Sequence, residues 1–402
     1  MKNTNIYIKL ILSFMCFTFL FNNIFAVSYV YDLQKQVSSV ETEAAPTFNF
    51  QSTSQVLMEA STGKILYANN ENERLLPASV TKIMTLLLLM EDIDAGKISY
   101  TDKVSCSQNA SSMGGSQIWF KEGEELTIDE CLKAICVVSA NDVTVAVAEK
   151  LAGNEENFVV RMNEKAKELG MTNTNFMNCH GIDEENHYTS AMDIAIMSRE
   201  LITKHPDILK YTSIWMDSLR DGTFGLTNTN KLIRFYEGAV GLKTGSTSQA
   251  LFNLSGCATR NGTTFISVIM KAPSSDVRLS ETKELLDYGF ANYEIKDISK
   301  KDTILQTGYI DKNVEKEVNF IQKDDIKILT KKGTNMDTYQ EVEYNEDIKA
   351  PLKAGDVVGK MCLKDNITQE VVGTSDIIVN EDVPKSNYVS YLKKLVKLFL
   401  CR

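Results

Sequence analysis

The sequence predicts an α+β fold, and three observations carry that prediction. Helical patterns fill the middle of the chain. Strand patterns flank them, at residues 55–68 and 240–271. Past Lys296 only short strands and turns follow. Strands at both ends of a helical region can pair in one antiparallel sheet, whereas a βαβ repeat would alternate strand and helix throughout.

Gln55–Met58 and Lys64–Ala68 read as two strands around a Ser61-Thr62-Gly63 turn. A helix is expected from about Ala78, just after Pro77. Its run from Ile83 to Met90 is apolar almost all round, the pattern of a central, buried helix. Thr127 and Glu130 form a capping box for a helix to about Val138. Asn141 or Asp142 can cap another, through Leu151. Further helices are expected over 155–169, stopped by Gly170, and over 190–204, stopped before Pro206.

Val240–Lys243, Leu251–Thr259 and Thr264–Lys271 read as strands, with Asn261-Gly262 as a hairpin turn. A helix is expected from Ser275 to Tyr293. Ile304–Ile310, Val314–Ile321, Ile326–Leu329, Val342–Tyr344, Val357–Leu363 and Glu370–Val379 then read as strands of a small all-β domain without residues suggestive of chemistry. The expected division is a larger domain over 51–294 and a β-sandwich over 295–382.

Residues 1–26 read as a secretory signal: Lys2 and Lys9 precede or flank an uncharged apolar run from Leu10 to Phe21, and Ala26 is a small residue before a cut. Residues 27–50 read as a linker. The C-terminal stretch 386–402 reads as a basic amphipathic helix. Tyr388, Tyr391, Leu392, Leu395, Leu398 and Phe399 share one face, and Ser390, Lys393, Lys394 and Lys397 the other. Such a helix in an acidic chain is suited to the interface of an anionic membrane.

The net charge of −10 becomes −12 when Lys2 and Lys9 are lost with the signal. That balance argues against nucleic acid as a partner. Eight cysteines, seven after cleavage, are widely spaced and form no disulfide framework, so buried free thiols are expected.

Three motifs occur in one order: Ser79-Val80-Thr81-Lys82, Ser139-Ala140-Asn141 and Lys243-Thr244-Gly245. None would persuade alone. S-x-x-K recurs at Ser61, Ser280 and Ser390, and S-x-N at Ser107. The ordered set is the signature of penicillin-interacting serine enzymes.

Spacing of three at a helix start puts Ser79 and Lys82 on one face. The helix dipole there favours negative charge developing on the Ser79 oxygen. A serine needs a base, and Lys82 can serve only with a lowered pKa, which apolar burial and the charge of Lys243 would produce. Ser139 and Asn141 fall in a tight connection between helices. Ser139 could pass a proton to a leaving amine, and Asn141 could orient Lys82 or merely cap the next helix. Lys243-Thr244-Gly245 is expected to end a strand. Lys243 would offer charge, Thr244 a hydroxyl for a carboxylate, and Gly245 room for a substrate backbone. The Ser246 and Ser79 amides could form an oxyanion hole. His180, His187 and His205 show no metal spacing, no G-x-S-x-G elbow is present, and no cofactor is expected.

With these residues in view, the chain resembles the low-molecular-weight penicillin-binding proteins, serine D-alanyl-D-alanine carboxypeptidases of the penicillin-binding-protein-5 kind. The likeness rests on Pro77–Thr85, Asn178–Asp183 with His187–Ala191 (Cys179 standing where the family usually has proline), Thr227–Leu232 and Gly241–Gly245, and it spans about residues 50–380. It implies a β-lactamase/transpeptidase-like catalytic domain, a β-sandwich behind it, and a C-terminal amphipathic helix. It implies that Ser79 attacks the carbonyl between two terminal D-alanines of a muropeptide. Lys82 is then the base, Ser139 and Asn141 assist, and Lys243 and Thr244 hold the terminal carboxylate, with Arg278 adding charge. β-Lactams would acylate Ser79. An exported protein, peripheral on the outer face of the bacterial cytoplasmic membrane, follows from the same likeness.

Two other readings stay open at this stage. A class A-like β-lactamase would need a deacylating glutamate in an E-x-x-L-N segment, and none lies between Asn141 and Lys243. A penicillin-binding sensor with little turnover cannot be told from an active enzyme by sequence.

Overall fold

A computed structural model describes residues 47–313, 316–334 and 336–400, with the side chains of 394, 395 and 397–400 excepted. The expected signal over 1–26, nearly all of the linker, and residues 401–402 of the tail lie outside the described residues.

One antiparallel sheet organises the first region. Its strands are β1 (Ser54–Glu59), β2 (Ile65–Asn69), β3 (Ala239–Thr247), β4 (Leu251–Arg260) and β5 (Thr263–Ala272), in the order β2-β1-β5-β4-β3. Strands from the two ends of the region meet at the β1–β5 seam, where Val56 pairs with Val268. Asn261 and Gly262 join β4 to β5 with both φ angles positive, at 50° and 77°. That is the hairpin geometry the Asn-Gly pair favours.

The chain between β2 and β3 is largely helical: α1 (Lys82–Asp94), α2 (Ile128–Lys133), α3 (Asn141–Ala152), α4 (Glu155–Glu168) and α5 (Ala191–Lys204); α6 (Ser275–Asn292) follows β5. Successive residues of a strand point to opposite faces of its sheet. On β4, Ser255 hydrogen-bonds Ser198 of α5 at 2.8 Å, while a Cβ on the next residue, Gly256, would meet Thr282 of α6. The sheet therefore lies between α5 and α6.

Helix α1 is buried on every side from Lys82 to Met90, as its unbroken apolar run predicts. Each fully buried leucine stabilises by roughly 1.5–3 kcal/mol, which offsets the cost of enclosing Lys82 in the same helix.

Three local expectations need correction. Lys243-Thr244-Gly245 does not end a strand; it lies inside β3, which pairs through Thr247↔Leu251. Neither Asn141 nor Asp142 caps α3, whose N-cap is Ala140, with no side-chain bond. Both side chains are engaged elsewhere, as described below. The helix expected to reach Tyr293 stops at Asn292, and Tyr293 opens a strand.

The second region is all-β. Strands β6 (Tyr293–Ser299) and β9 (Ile326–Lys331) pair, and β7 (Ile304–Gly308), β8 (Val318–Gln322), β10 (Thr338–Tyr344), β11 (Val357–Asp365) and β12 (Val371–Val379) form a sheet of order β7-β8-β12-β11-β10. Ile326 and Ile328 of β9 share a core with Met361, Leu363 and Ile377 of the larger sheet. A final helix, α7 (Tyr388–Leu400), follows.

Candidate active site

Three segments distant in sequence meet at the N-terminal end of α1. A 3₁₀ turn, Ala78–Thr81, leads into that helix. At three residues per turn, positions i and i+3 stand in line, so Ser79 and Lys82 face the same way, with Lys82 Nζ 3.1 Å from Ser79 Oγ. Ser79 is partly exposed and Lys82 fully buried.

The second segment arrives through a local irregularity. After α2 the helix widens into a π-turn, Ala134–Val138, and Ser139 closes it in the left-handed region at φ 64°. Such widened turns favour functional sites. The chain then projects Asn141 toward Lys82. Asn141 Oδ1 accepts from Lys82 Nζ at 2.6 Å, and its Nδ2 donates to the Gly114 carbonyl at 2.8 Å, which fixes the amide orientation. The Ser139 hydroxyl is buried and has no hydrogen-bond partner among the described residues.

The third segment is β3, the edge of the sheet. Lys243 is buried, and its Nζ donates to the Thr244 carbonyl at 3.0 Å. The Thr244 hydroxyl meets that of Thr229 at 2.8 Å. Gly245 also packs against the turn that carries Ser79. A Cβ there would lie 2.8 Å from the Pro77 carbonyl and 2.9 Å from the Ser79 nitrogen. Its missing side chain admits the turn carrying Ser79, which brings the Ser79 amide beside the strand. Ser246, the next residue, is exposed. Arg278 of α6 donates to the carbonyl of Asn253 at 3.2 Å, and Asn253 pairs with Gly245.

Two carbonyl oxygens flank Lys82 Nζ: Asn141 Oδ1 and the His180 carbonyl, each at 2.6 Å. Both can only accept. A neutral amine has two N–H groups and one lone pair. In that neutral form its two hydrogens can go to these carbonyls, which leaves the lone pair for the Ser79 hydroxyl 3.1 Å away. Burial holds the Lys82 pKa well below its usual value, and the charge of Lys243 lowers it further. Lys243 is itself lowered to about 7, first by burial, with Arg278 contributing. Burial also takes Arg278 down to about 10.

No role was read from sequence for the His180 carbonyl or for the groups around it, although Gly181 and His187 lie in segments that carry the resemblance. Gly181 has φ +92°, and a Cβ there would collide with the Ala78 carbonyl at 1.9 Å. The Met177 amide donates to His187 Nδ1 at 3.0 Å, so Nε2 carries the hydrogen and donates to Thr81 Oγ1 at 2.9 Å. Thr81 in turn donates to the Ala78 carbonyl at 2.9 Å. This relay braces the turn as well. Among the described residues no group of three His, Cys, Asp or Glu side chains could hold a metal ion.

Residues 39–274 match the family described as D-alanyl-D-alanine carboxypeptidase, and residues 293–385 match the penicillin-binding protein 5 C-terminal domain. The D-alanyl-D-alanine carboxypeptidase DacF of Bacillus subtilis is 44% identical over 345 residues, covering 85% of this chain and 88% of the relative. DacC of Escherichia coli is 31% identical over 344 residues, covering 83% and 84%. The structure of penicillin-binding protein 5 from Haemophilus influenzae aligns with a TM-score of 0.71 at 31% identity, covering 84% of this chain and 99% of that one. Penicillin-binding protein D2 of Listeria monocytogenes, in an ampicillin-bound form, aligns at 0.56 with 27% identity, over 61% of this chain and 99% of its own.

Proposed function

The chain belongs to the serine D-alanyl-D-alanine carboxypeptidases, the low-molecular-weight penicillin-binding proteins, and from that premise we propose that Ser79 is the nucleophile that takes the acyl group from the substrate. The supporting observation is the buried amine of Lys82, 3.1 Å from the Ser79 hydroxyl and 2.6 Å from each of two carbonyl oxygens, so that in its neutral form two hydrogens go to the carbonyls and the lone pair faces Ser79.

In the proposed reaction Lys82 takes the Ser79 proton as Oγ attacks the carbonyl between the last two D-alanines of a peptidoglycan pentapeptide. The amides of Ser79 and Ser246 hold the oxyanion. The tetrahedral intermediate collapses, and the proton passes through the Ser139 hydroxyl to the departing amine of the terminal D-alanine. Water then attacks the ester, gives a proton to Lys82, and restores the serine. Lys243 and Thr244 receive the substrate carboxylate, and Arg278 adds positive potential behind them. A β-lactam offers a strained amide to the same hydroxyl.

The test is release of D-alanine from a pentapeptide ending in D-Ala-D-Ala. Wild-type protein should turn over repeatedly and Ser79→Ala should not. A single acylation without release would instead favour the sensor reading.

Export, and attachment to the outer face of the cytoplasmic membrane through an anionic surface, complete the reading. Helix α7 leaves Tyr388, Val389, Leu392 and Val396 exposed, and no helix among the described residues is long and apolar enough to cross a membrane. Removal of 386–402 should release active protein from membranes. Continued sedimentation of the shortened chain, with its signal cleaved, would refute the role given to α7.

A further inference from the structure

The loop before α2 carries an outlier. Trp119 has φ +59°, a conformation that bulky residues rarely adopt, and its side chain is 66% exposed. Its neighbours Ile118 and Phe120 are buried.

The unusual conformation is held from two sides. Asp142, fully buried, accepts from the Ile118 amide at 3.1 Å and the Phe120 amide at 3.0 Å. Arg220 donates to the Ile118 carbonyl at 2.9 Å and the Trp119 carbonyl at 3.2 Å, and is itself fixed by Glu124 at 2.7 Å. Its guanidinium lies over the ring of Phe224.

The same loop borders the catalytic groups. Gly114 accepts from the Asn141 side chain, and the Ser116 carbonyl accepts from the Asn141 amide at 2.7 Å. Asn141 thus grips the loop's first half and Asp142 its second, so the indole is rigidly coupled to the residue that orients Lys82.

We propose that Trp119 forms a substrate subsite on the Asn141 rim of the cleft, taking the peptide chain that precedes the penultimate D-alanine. The inference rests on the carboxypeptidase reading and on its assignment of β3 to the terminal carboxylate. With that carboxylate on the strand side, the rim across Ser79 is left for the acyl portion. An exposed indole face suits the aliphatic stems of such a peptide, because it buries area while losing little side-chain freedom.

The test compares kcat/KM for a pentapeptide, L-Ala-D-Glu-L-Lys-D-Ala-D-Ala, with that for N-acetyl-D-Ala-D-Ala. Trp119→Ala should lower the ratio of the two about tenfold, and Trp119→Phe should recover most of it. Trp119→Gly should lose the ratio while keeping Tm at or above that of the wild type, since glycine tolerates φ +59° without strain. Wild-type turnover with a ratio unchanged in Trp119→Ala, or with both substrates falling in step, would overturn the subsite alone. Failure of the wild type to release D-alanine would overturn the carboxypeptidase reading with it.

Discussion

Gly245 lies directly behind Ser79: a Cβ at Gly245 would sit 2.9 Å from the Ser79 backbone nitrogen. The atoms it would meet belong to backbone, which cannot swing aside as a flexible side chain does. The position of the serine is therefore set by an absent side chain on the neighbouring strand.

Gly245→Ala should displace the turn by a fraction of an ångström to an ångström. Misplacement on that scale costs about 100-fold in rate. Stopped-flow acylation by a β-lactam should show that loss. A variant acylating within about threefold of wild type would mean that the turn and strand are not in register as described.

The two lysines set opposite limbs of a pH profile. Lys82 must be neutral to accept the Ser79 proton, so acylation should fall on acidification as its lowered pKa is crossed. Lys243 must be charged to attract a carboxylate, and in the empty site it titrates at about 7. The alkaline limb of kcat/KM should therefore begin near neutrality. In kcat it should lie higher, because a bound carboxylate holds the proton on Lys243. A peptide ending in a carboxamide should lack the alkaline limb, and persistence of that limb would dissociate it from Lys243.

Asn141→Asp tests the neutrality of Lys82 with nearly unchanged shape. An anion 2.6 Å from Nζ would favour the ammonium and raise its pKa by about 1–3. The acid limb should move up by at least about one pH unit, with acylation at pH 7 falling correspondingly. An unmoved limb would mean that Lys82 is not the titrating base.

Burial of Lys243 should cost stability. Its folded pKa, about 7, lies below the usual 10.5. Between those values the unfolded chain binds more protons than the folded one, so stability rises with pH at up to about 1.4 kcal/mol per pH unit. Lys243→Met should therefore stabilise the fold at pH 7 by on the order of 1–3 kcal/mol while abolishing turnover. The gap to wild type should close towards pH 10.5. Urea unfolding at several pH values would check this, and a variant less stable at pH 7 would contradict it.

Much of this was legible in the sequence because period and punctuation are local. The apolar run of α1, the capping box at Thr127, the hairpin at Asn261-Gly262 and the strands of the second region from β7 onward all follow from neighbours in the chain, whereas β6 was not expected. The capping box forms as expected, and all six cysteines among the described residues are free, five of them buried. The three motifs, far apart in sequence, come together around Ser79. The supporting groups were harder to read because they act through backbone or through space. The His180 carbonyl leaves no side-chain signature. The pairing of Thr229 with Thr244 and the packing of Gly245 on Ser79 depend on how β3 meets the turn, which no spacing encodes. For Asn141 the sequence left two readings open, orienting Lys82 or capping the next helix, because Asn is commonly a cap. Only the structure shows its amide committed to Lys82 and Gly114.

The most direct test of the Ser79–Lys82 pair is peptide mapping by mass spectrometry of the protein after reaction with benzylpenicillin. The penicilloyl mass should reside on the peptide containing Ser79, and both Ser79→Ala and Lys82→Ala should leave the protein unlabelled. Label on any other residue, or undiminished labelling of Ser79 in Lys82→Ala, would contradict the chemistry assigned to this site.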